Sequence, residues 1–275
     1  MQPFDATQAT HYATVILSAG VLVASVEDLA LMRVFARGGV LDWGILELQN
    51  RLTAGGWTGR WAARVFGRRG MAVTAAVRGL AAGVMVAGLP GKAVAALMLG
   101  AIYLCLLSLT LRSPYGLDGA HQMYRICVGA LFLCQVVTPD SVAARACLYF
   151  IGVQAVLSYL VSGGSKLVSP SWRSGSAMIG IFSASLYGNR SFFNVLHAAP
   201  WLARLLSWTV IMFECSMVVA PFVGARGCLI LLASGVLFHV ANAILMGLNG
   251  FVFAFVGTYP CVYLLARDLG ARSPW

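Results

Sequence analysis

Runs of roughly 20 mostly apolar residues, the length a helix needs to cross the hydrocarbon core of a bilayer, recur near 12–32, 71–88, 93–111, 123–138, 146–163, 205–223, 227–247 and 250–267. Lipid offers no partner to a backbone N–H or C=O, so runs of this length and polarity are expected to be helices. Composition agrees. Hydrophobic residues make up 60% of the chain and charged ones 10%, against about 45 to 50 and about 25 per cent in soluble domains. The expectation is an all-α integral membrane protein, a single bundle of about eight transmembrane helices. Gly and Pro in LPGK, TPDS, PFVG and GLNG read as short turns between antiparallel neighbours. Residues 1–11 form an N-terminal tail, 12–267 the membrane domain and 268–275 a second tail. The opening MQPFDATQATH has no basic residue ahead of the first apolar run, so it lacks the charged start of a cleaved signal and the first helix is expected to stay.

Two connections are too long to be turns. Residues 33–70 carry Arg33, Arg37, Arg51, Arg60, Arg64, Arg68 and Arg69 around an apolar middle with Leu41, Trp43, Ile45, Leu46 and Leu48. An interfacial amphipathic helix fits that pattern better than a spanning one. Residues 164–204 hold Lys166, Trp172, Arg173, Arg190, His197 and Trp201 in a moderately polar, site-bearing loop. The loops after the first, third and fifth helices share one side and most of the positive charge, which the positive-inside rule makes cytoplasmic. The net charge of +10 is assigned to arginines meeting lipid phosphates at helix ends, and no nucleic-acid partner is expected.

Cys105, Cys127, Cys134, Cys147, Cys215, Cys228 and Cys261 all lie in or beside apolar runs and none forms CxxC, the pattern of small buried hydrophobes. The four histidines are far apart and lack metal-ligand spacing, so no metal is expected.

What remains is a set of polar residues placed in or beside hydrocarbon, where an ionisable group costs roughly 2.5 to 3.5 kcal/mol and a functional site is the default hypothesis. Lys166 is one of two lysines among nineteen basic residues. Unlike arginine, a desolvated lysine can shed its proton and act as a base. The bland reading of Lys166 is an anchor that snorkels to the headgroups. Asp118, His121 and Arg125, spaced by three and four, share one face at the start of the fourth helix. Glu214 interrupts the sixth, as a functional acid or as a buried partner of Arg125. His239 and Asn242, spaced by three, face one way in the seventh, as site residues or as packing glue. Trp172 and Trp201 read as interfacial belt residues or as stacking surfaces. Gly79 and Gly83 form a GxxxG packing motif.

The block GGSKLVSPSW, giving G-x-K-L with Trp172 and Gly175 after it, is followed some seventy residues later by FHVANAILMGLNGFVF. This pair resembles the membrane domain of the vitamin K-dependent gamma-carboxylase and the related horizontally transferred transmembrane (HTTM) family. Small bacterial membrane proteins that mature a peptide toxin are similar too. The resemblance implies that Lys166 is the base that deprotonates a quinol such as vitamin K hydroquinone. It also implies that Phe238, His239 and Asn242 fall on the F-H-x-x-N block, with Gly247 and Phe251 continuing it. His121 falls near the family's active-site histidine and Glu214 near an acidic residue of the following helix. A catalytic set of Lys166, His121 and His239, with Asn242, Trp172 and Glu214 about the cofactor, follows from it.

Residues 1–275 are not expected to hold a counterpart of the carboxylase's large lumenal region, and the chain departs from the family in following Lys166 with Val168, Ser169 and Pro170. The leading expectation is a carboxylase-like enzyme of a bacterial cell membrane acting on a peptide or lipid-borne substrate. The alternatives are a non-catalytic membrane subunit or peptide-maturation partner working with an accessory protein, and a small-molecule transporter. The enzyme reading predicts one polar cavity joining Lys166 to His121 and His239. The subunit reading predicts Lys166 turned to headgroups and the histidines satisfied by neighbouring helices.

Overall fold

The computed structural model describes residues 4–49, 56–88, 90–113, 117–138, 141–185 and 188–270. Every regular element among them is helical: α1 (Ala6–Ala30), α2 (Trp43–Leu46), α3 (Gly56–Phe66), α4 (Arg68–Ala87), α5 (Lys92–Arg112), α6 (Gly119–Val136), α7 (Val142–Val168), α8 (Pro170–Ser174), α9 (Ser176–Ser183), α10 (Arg190–Ala198), α11 (Pro200–Ser216), α12 (Gly224–Met246), α13 (Asn249–Val256) and α14 (Tyr259–Gly270). Among the described residues seven segments are long and apolar enough to cross a membrane: α1, α4, α5, α7, Pro200–Val219, α12 and Asn249–Gly270. The expected all-α membrane class is therefore the class observed. The remaining expected span is α6, whose 18 residues are interrupted by His121, Gln122, Arg125 and Gln135.

The chain divides into two compact units, Thr14–Cys147 and Met1–Ala13 with Leu148–Trp275. In the first, α4 packs on α5 and α5 on α6. Arg78 is buried on α4 and is satisfied there: Nε donates to Ser25 Oγ at 2.8 Å and Nη2 to Asp28 Oδ2 at 2.7 Å. Only one glycine of the GxxxG pair is in close contact. A Cβ on Gly79 would meet Ser25 Cβ at 3.1 Å, whereas one on Gly83 would meet nothing within 4 Å.

The arginine-rich segment is not the single amphipathic helix expected. Gly38, at φ +78°, turns the chain, and Asp42 caps α2 by accepting from Gly44 N and Gly38 N. A short 3-10 turn (Glu47–Gln49) follows, and α3 carries the amphipathic pattern alone. Its Gly59, Ala62 and Phe66 are buried while Arg60 and Arg64 are exposed, and Trp43 packs on Ala62 and Phe66. The expected turns LPGK and TPDS fall partly, and Arg51 wholly, outside the described residues.

In the second unit α7 continues five residues past the end of its apolar run, so Lys166 sits in its last turn. The stretch 164–204, expected as a loop, is the end of α7 followed by α8, α9, α10 and the start of α11. Met178 and Phe182 of α9, Leu196 of α10 and Ala203 of α11 make a small core. Gly175, at φ +86°, lets the α8–α9 corner lie on α11, since a Cβ there would stand 2.5 Å from Arg204 N. α12 packs on α13 and α14, and the last expected span is bent between them at Gly257 and Thr258.

Candidate functional site

The second unit brings six helices, α7, α8, α9, α11, α12 and α13, to one cavity of about 290 Å³. The local reason is helical spacing. Tyr159, Ser162 and Lys166 are three and four apart on α7, Val210 and Glu214 four apart on α11, and His239, Asn242 and Met246 three and four apart on α12. Phe251 and Phe255, four apart on α13, complete the wall. Each set is therefore one face of its helix. Gly163 allows α7 and α11 to meet beside the charges, because a Cβ at that position would lie 3.0 Å from Glu214 Cβ and from Cys215 N.

Lys166 does not snorkel away from the protein. Its Nζ donates to Glu214 Oε2 at 2.7 Å, to Oε1 at 2.9 Å and to Ser162 Oγ. The Lys166 side chain is 17% exposed and that of Glu214 6%. Ser162 Oγ in turn donates to Glu214 Oε1 at 3.0 Å, so the lysine, the serine and the carboxylate form a closed triangle. The ammonium also stands 5.1 Å from the centroid of the Trp172 ring, a cation–π contact from α8. Glu214 is thus the partner of Lys166. It is not the partner of Arg125, whose Nη1 donates to Thr110 Oγ1 at 2.9 Å.

His239 is 2% exposed. Its Nε2 is 2.7 Å from Tyr159 Oη, and Tyr159 Oη is 2.8 Å from Tyr259 Oη. Phe255 stacks on the imidazole at a centroid distance of 4.7 Å and an interplanar angle of 22°. With its face and one nitrogen held, the ring orientation is fixed. The other nitrogen, Nδ1, is buried with no hydrogen-bond partner among the described residues.

Of the residues singled out in the sequence, Lys166, Trp172, Glu214, His239 and Asn242 all line this cavity. His121 is not among its lining residues. It belongs to the unit Thr14–Cys147, at the start of α6, where Nδ1 is paired with Asp118 Oδ1 at 2.9 Å. Asp118 is also the cap of that helix and accepts from the His121 N–H. Burial opposes ionisation of this carboxyl, but its hydrogen bonds with His121 outweigh that and hold it below the ordinary aspartate range. The sequence reasoning missed Tyr159, Ser162 and Tyr259. The spacing of Tyr159 and Ser162 from Lys166 on one helix face was a usable signal for two of them. Among the described residues no cluster of three or more His, Cys, Asp or Glu is placed to hold a metal ion.

Chemically the cavity combines an acid–base pair, an unpaired imidazole nitrogen, a carboxamide and an aromatic wall. Compared with protein-family models, with curated proteins and with solved structures, the chain matches none.

Proposed function

We propose that the chain is a carboxylase-like, HTTM-type enzyme of a bacterial membrane, acting on a peptide or lipid-borne substrate with a quinol as cofactor and Lys166 as the base. The observation that carries this reading is that Lys166 and His239, the two residues on which the resemblance rests, line one cavity together with Glu214, Trp172 and Asn242. The residues present suit a quinol. Trp172, Phe238, Phe251 and Phe255 offer flat apolar surface, while His239 Nδ1 and the Asn242 amide offer polar contact.

A quinol, when bound, supplies a weakly acidic hydroxyl and reducing equivalents. The protein's part is proton handling in a largely apolar cavity. All three Nζ protons of Lys166 are engaged by Ser162 and Glu214, so the lysine gains a free lone pair only by passing a proton to Glu214. That transfer turns an ammonium–carboxylate pair into an amine and a carboxylic acid with no change in net charge, which suits a largely buried pair. Nζ is then the proton acceptor, Glu214 holds the displaced proton, and Ser162 keeps the two in register. Trp172 covers the amine. Asn242 orients the polar end of whatever occupies the cavity.

The same closed triangle gives weight to one other reading, a non-catalytic membrane subunit or peptide-maturation partner in which the ion pair only fixes α7 against α11. Mass spectrometry of lipids and quinones that copurify with the native chain, with Lys166→Met and with His239→Gln separates the two. The enzyme reading expects a quinone on the native chain, lost or reduced several-fold in His239→Gln, and loss of a modified peptide product from cells carrying Lys166→Met. An equal quinone content in all three, with cellular phenotype intact, would leave only the subunit reading.

A further inference from the structure

The row Tyr259, Tyr159, His239 has a polarity that follows from the strengths of its donors and acceptors. If Tyr259 donates to Tyr159 and Tyr159 donates to His239 Nε2, both hydroxyl protons are used, and the imidazole proton resides on Nδ1. The Nδ1–H and the acceptor side of Tyr259 Oη, a phenol oxygen and so a weak acceptor, are then left without partners. If the row runs the other way, His239 Nε2–H donates to Tyr159 and Tyr159 to Tyr259. The Tyr259 proton and the Nδ1 lone pair are then both left over, and both residues are deeply buried, at 5% and 2% exposed. Either direction leaves one donor and one acceptor over, and the first is favoured because it gives the phenol proton, the stronger donor, to the imidazole nitrogen, the stronger acceptor, leaving only a phenol oxygen unfilled in place of a basic nitrogen.

We infer that Tyr259 and Tyr159 are positioning residues that hold His239 as its Nδ1–H tautomer, making it the hydrogen-bond donor for an oxygen acceptor, a carbonyl or phenolate, on a largely apolar ligand. This rests on the proposed function and specifies how that site grips its ligand. The Phe255 stack fixes the imidazole plane and the Tyr159 bond fixes its rotation, so the donor direction is set before anything binds. Tyr159 is itself buried and packed edge-on against Phe213, at 5.7 Å. At the far end the row is closed by a glycine: a Cβ on Gly235 would stand 2.1 Å from Tyr259 Oη, so only glycine lets that hydroxyl reach its place against α12. Nδ1 is buried, and a hydrogen bond made to it in such surroundings is stronger than one exposed to water.

The test is nitrogen NMR of the full chain in lipid nanodiscs with labelled histidine, the His239 signals being assigned by their absence in His239→Gln. The expected spectrum shows the one-bond N–H coupling on Nδ1 and a bare Nε2. In Tyr159→Phe, and in Gly235→Ala where Tyr159 and His239 are untouched, the proton redistributes toward Nε2. A folded wild type with its proton on Nε2 overturns the inference. Menadione then serves as probe, its binding followed by Trp fluorescence quenching. Binding with a downfield shift of the Nδ1 proton supports the donor role, and binding without that shift overturns it while the proposed function stands. No binding, with the Nδ1–H tautomer present, overturns the quinol reading and leaves the tyrosine lock supported.

Discussion

Lys166 Nζ and Glu214 Oε2 stand 2.7 Å apart although 48 positions separate the two residues in sequence. The contact joins the last turn of α7 to the last turn of α11, and both charges are largely hidden. Breaking a buried pair by removing one member leaves an uncompensated charge and costs about 3 to 5 kcal/mol. Lys166→Met should therefore lower the unfolding midpoint of the purified protein in a bilayer mimic by a clear margin. Lys166→Met combined with Glu214→Leu removes both charges and should recover most of that loss. If the single and double variants unfold together, Glu214 does not depend on Lys166.

Crowding gives a sharper contrast between two glycines of spanning helices. Gly235→Ala places a methyl group 2.1 Å from the Tyr259 hydroxyl, while Gly83→Ala meets nothing within 4 Å. Overpacking of this kind costs about 1 to 3 kcal/mol. Gly83→Ala, by contrast, replaces a helix-interior glycine and should be neutral or stabilising by about 0.5 to 1 kcal/mol. Thermal unfolding of the two variants, side by side, checks the ordering, and equal stability would mean that Tyr259 lies elsewhere.

The helices were legible in the sequence because hydrocarbon permits so little else: each expected apolar run is largely helical, though 205–223 runs past the end of α11 and 250–267 is divided between α13 and α14. Helix ends were less so. Lys166 read as a residue beyond the membrane run because the apolar run ends near Gly163, yet the hydrogen-bond ladder of α7 continues to Val168 and turns the lysine inward. Of the site, the residues that are unusual by type were visible, namely Lys166, Glu214, His239 and Asn242. Tyr159 and Tyr259 were not, since a tyrosine in an apolar run has no polar signature until its hydroxyl finds a partner 80 or 100 positions away. His121 stood out by type as well, but its partner is its own helix cap. Composition alone does not reveal which polar residues of different helices share a space.

Arg112 ties the segment before α4 to the end of α5 through geometry that lysine cannot reproduce. Its Nε donates to Phe66 O at 2.9 Å, Nη2 donates to Leu41 O, and the guanidinium lies 5.1 Å from the centroid of Phe35. A planar fork serves two carbonyls and a ring at once, whereas an ammonium is a point donor on a flexible stem. Arg112→Lys should weaken this attachment by roughly 1.5 to 3 kcal/mol, the scale of a hydrogen bond to a charged group. Limited proteolysis should then cut within residues 31–49 faster than in the native chain. Unchanged cleavage would show that the segment is held by its apolar contacts alone.

Asp42 should make the same segment sensitive to acid. The backbone N–H groups of Gly38 and Gly44 bind its carboxylate, with Arg37 and Arg112 adding attraction, and together they hold its pKa below the ordinary 3.8. The folded turn therefore binds a proton less readily than the unfolded chain. Its stabilisation is fully present above pH 3.8, shrinks as the unfolded chain takes up protons below that, and is gone once pH falls through the lower folded value. Hydrogen exchange of the peptide covering 36–46, corrected for intrinsic rates, should show protection that is flat near neutrality and declines in acid. Asp42→Asn keeps an acceptor oxygen but no titrating group, so its protection should be lower at neutral pH and level across the same range. A native decline that persists unchanged in Asp42→Asn would assign the acid sensitivity to another group.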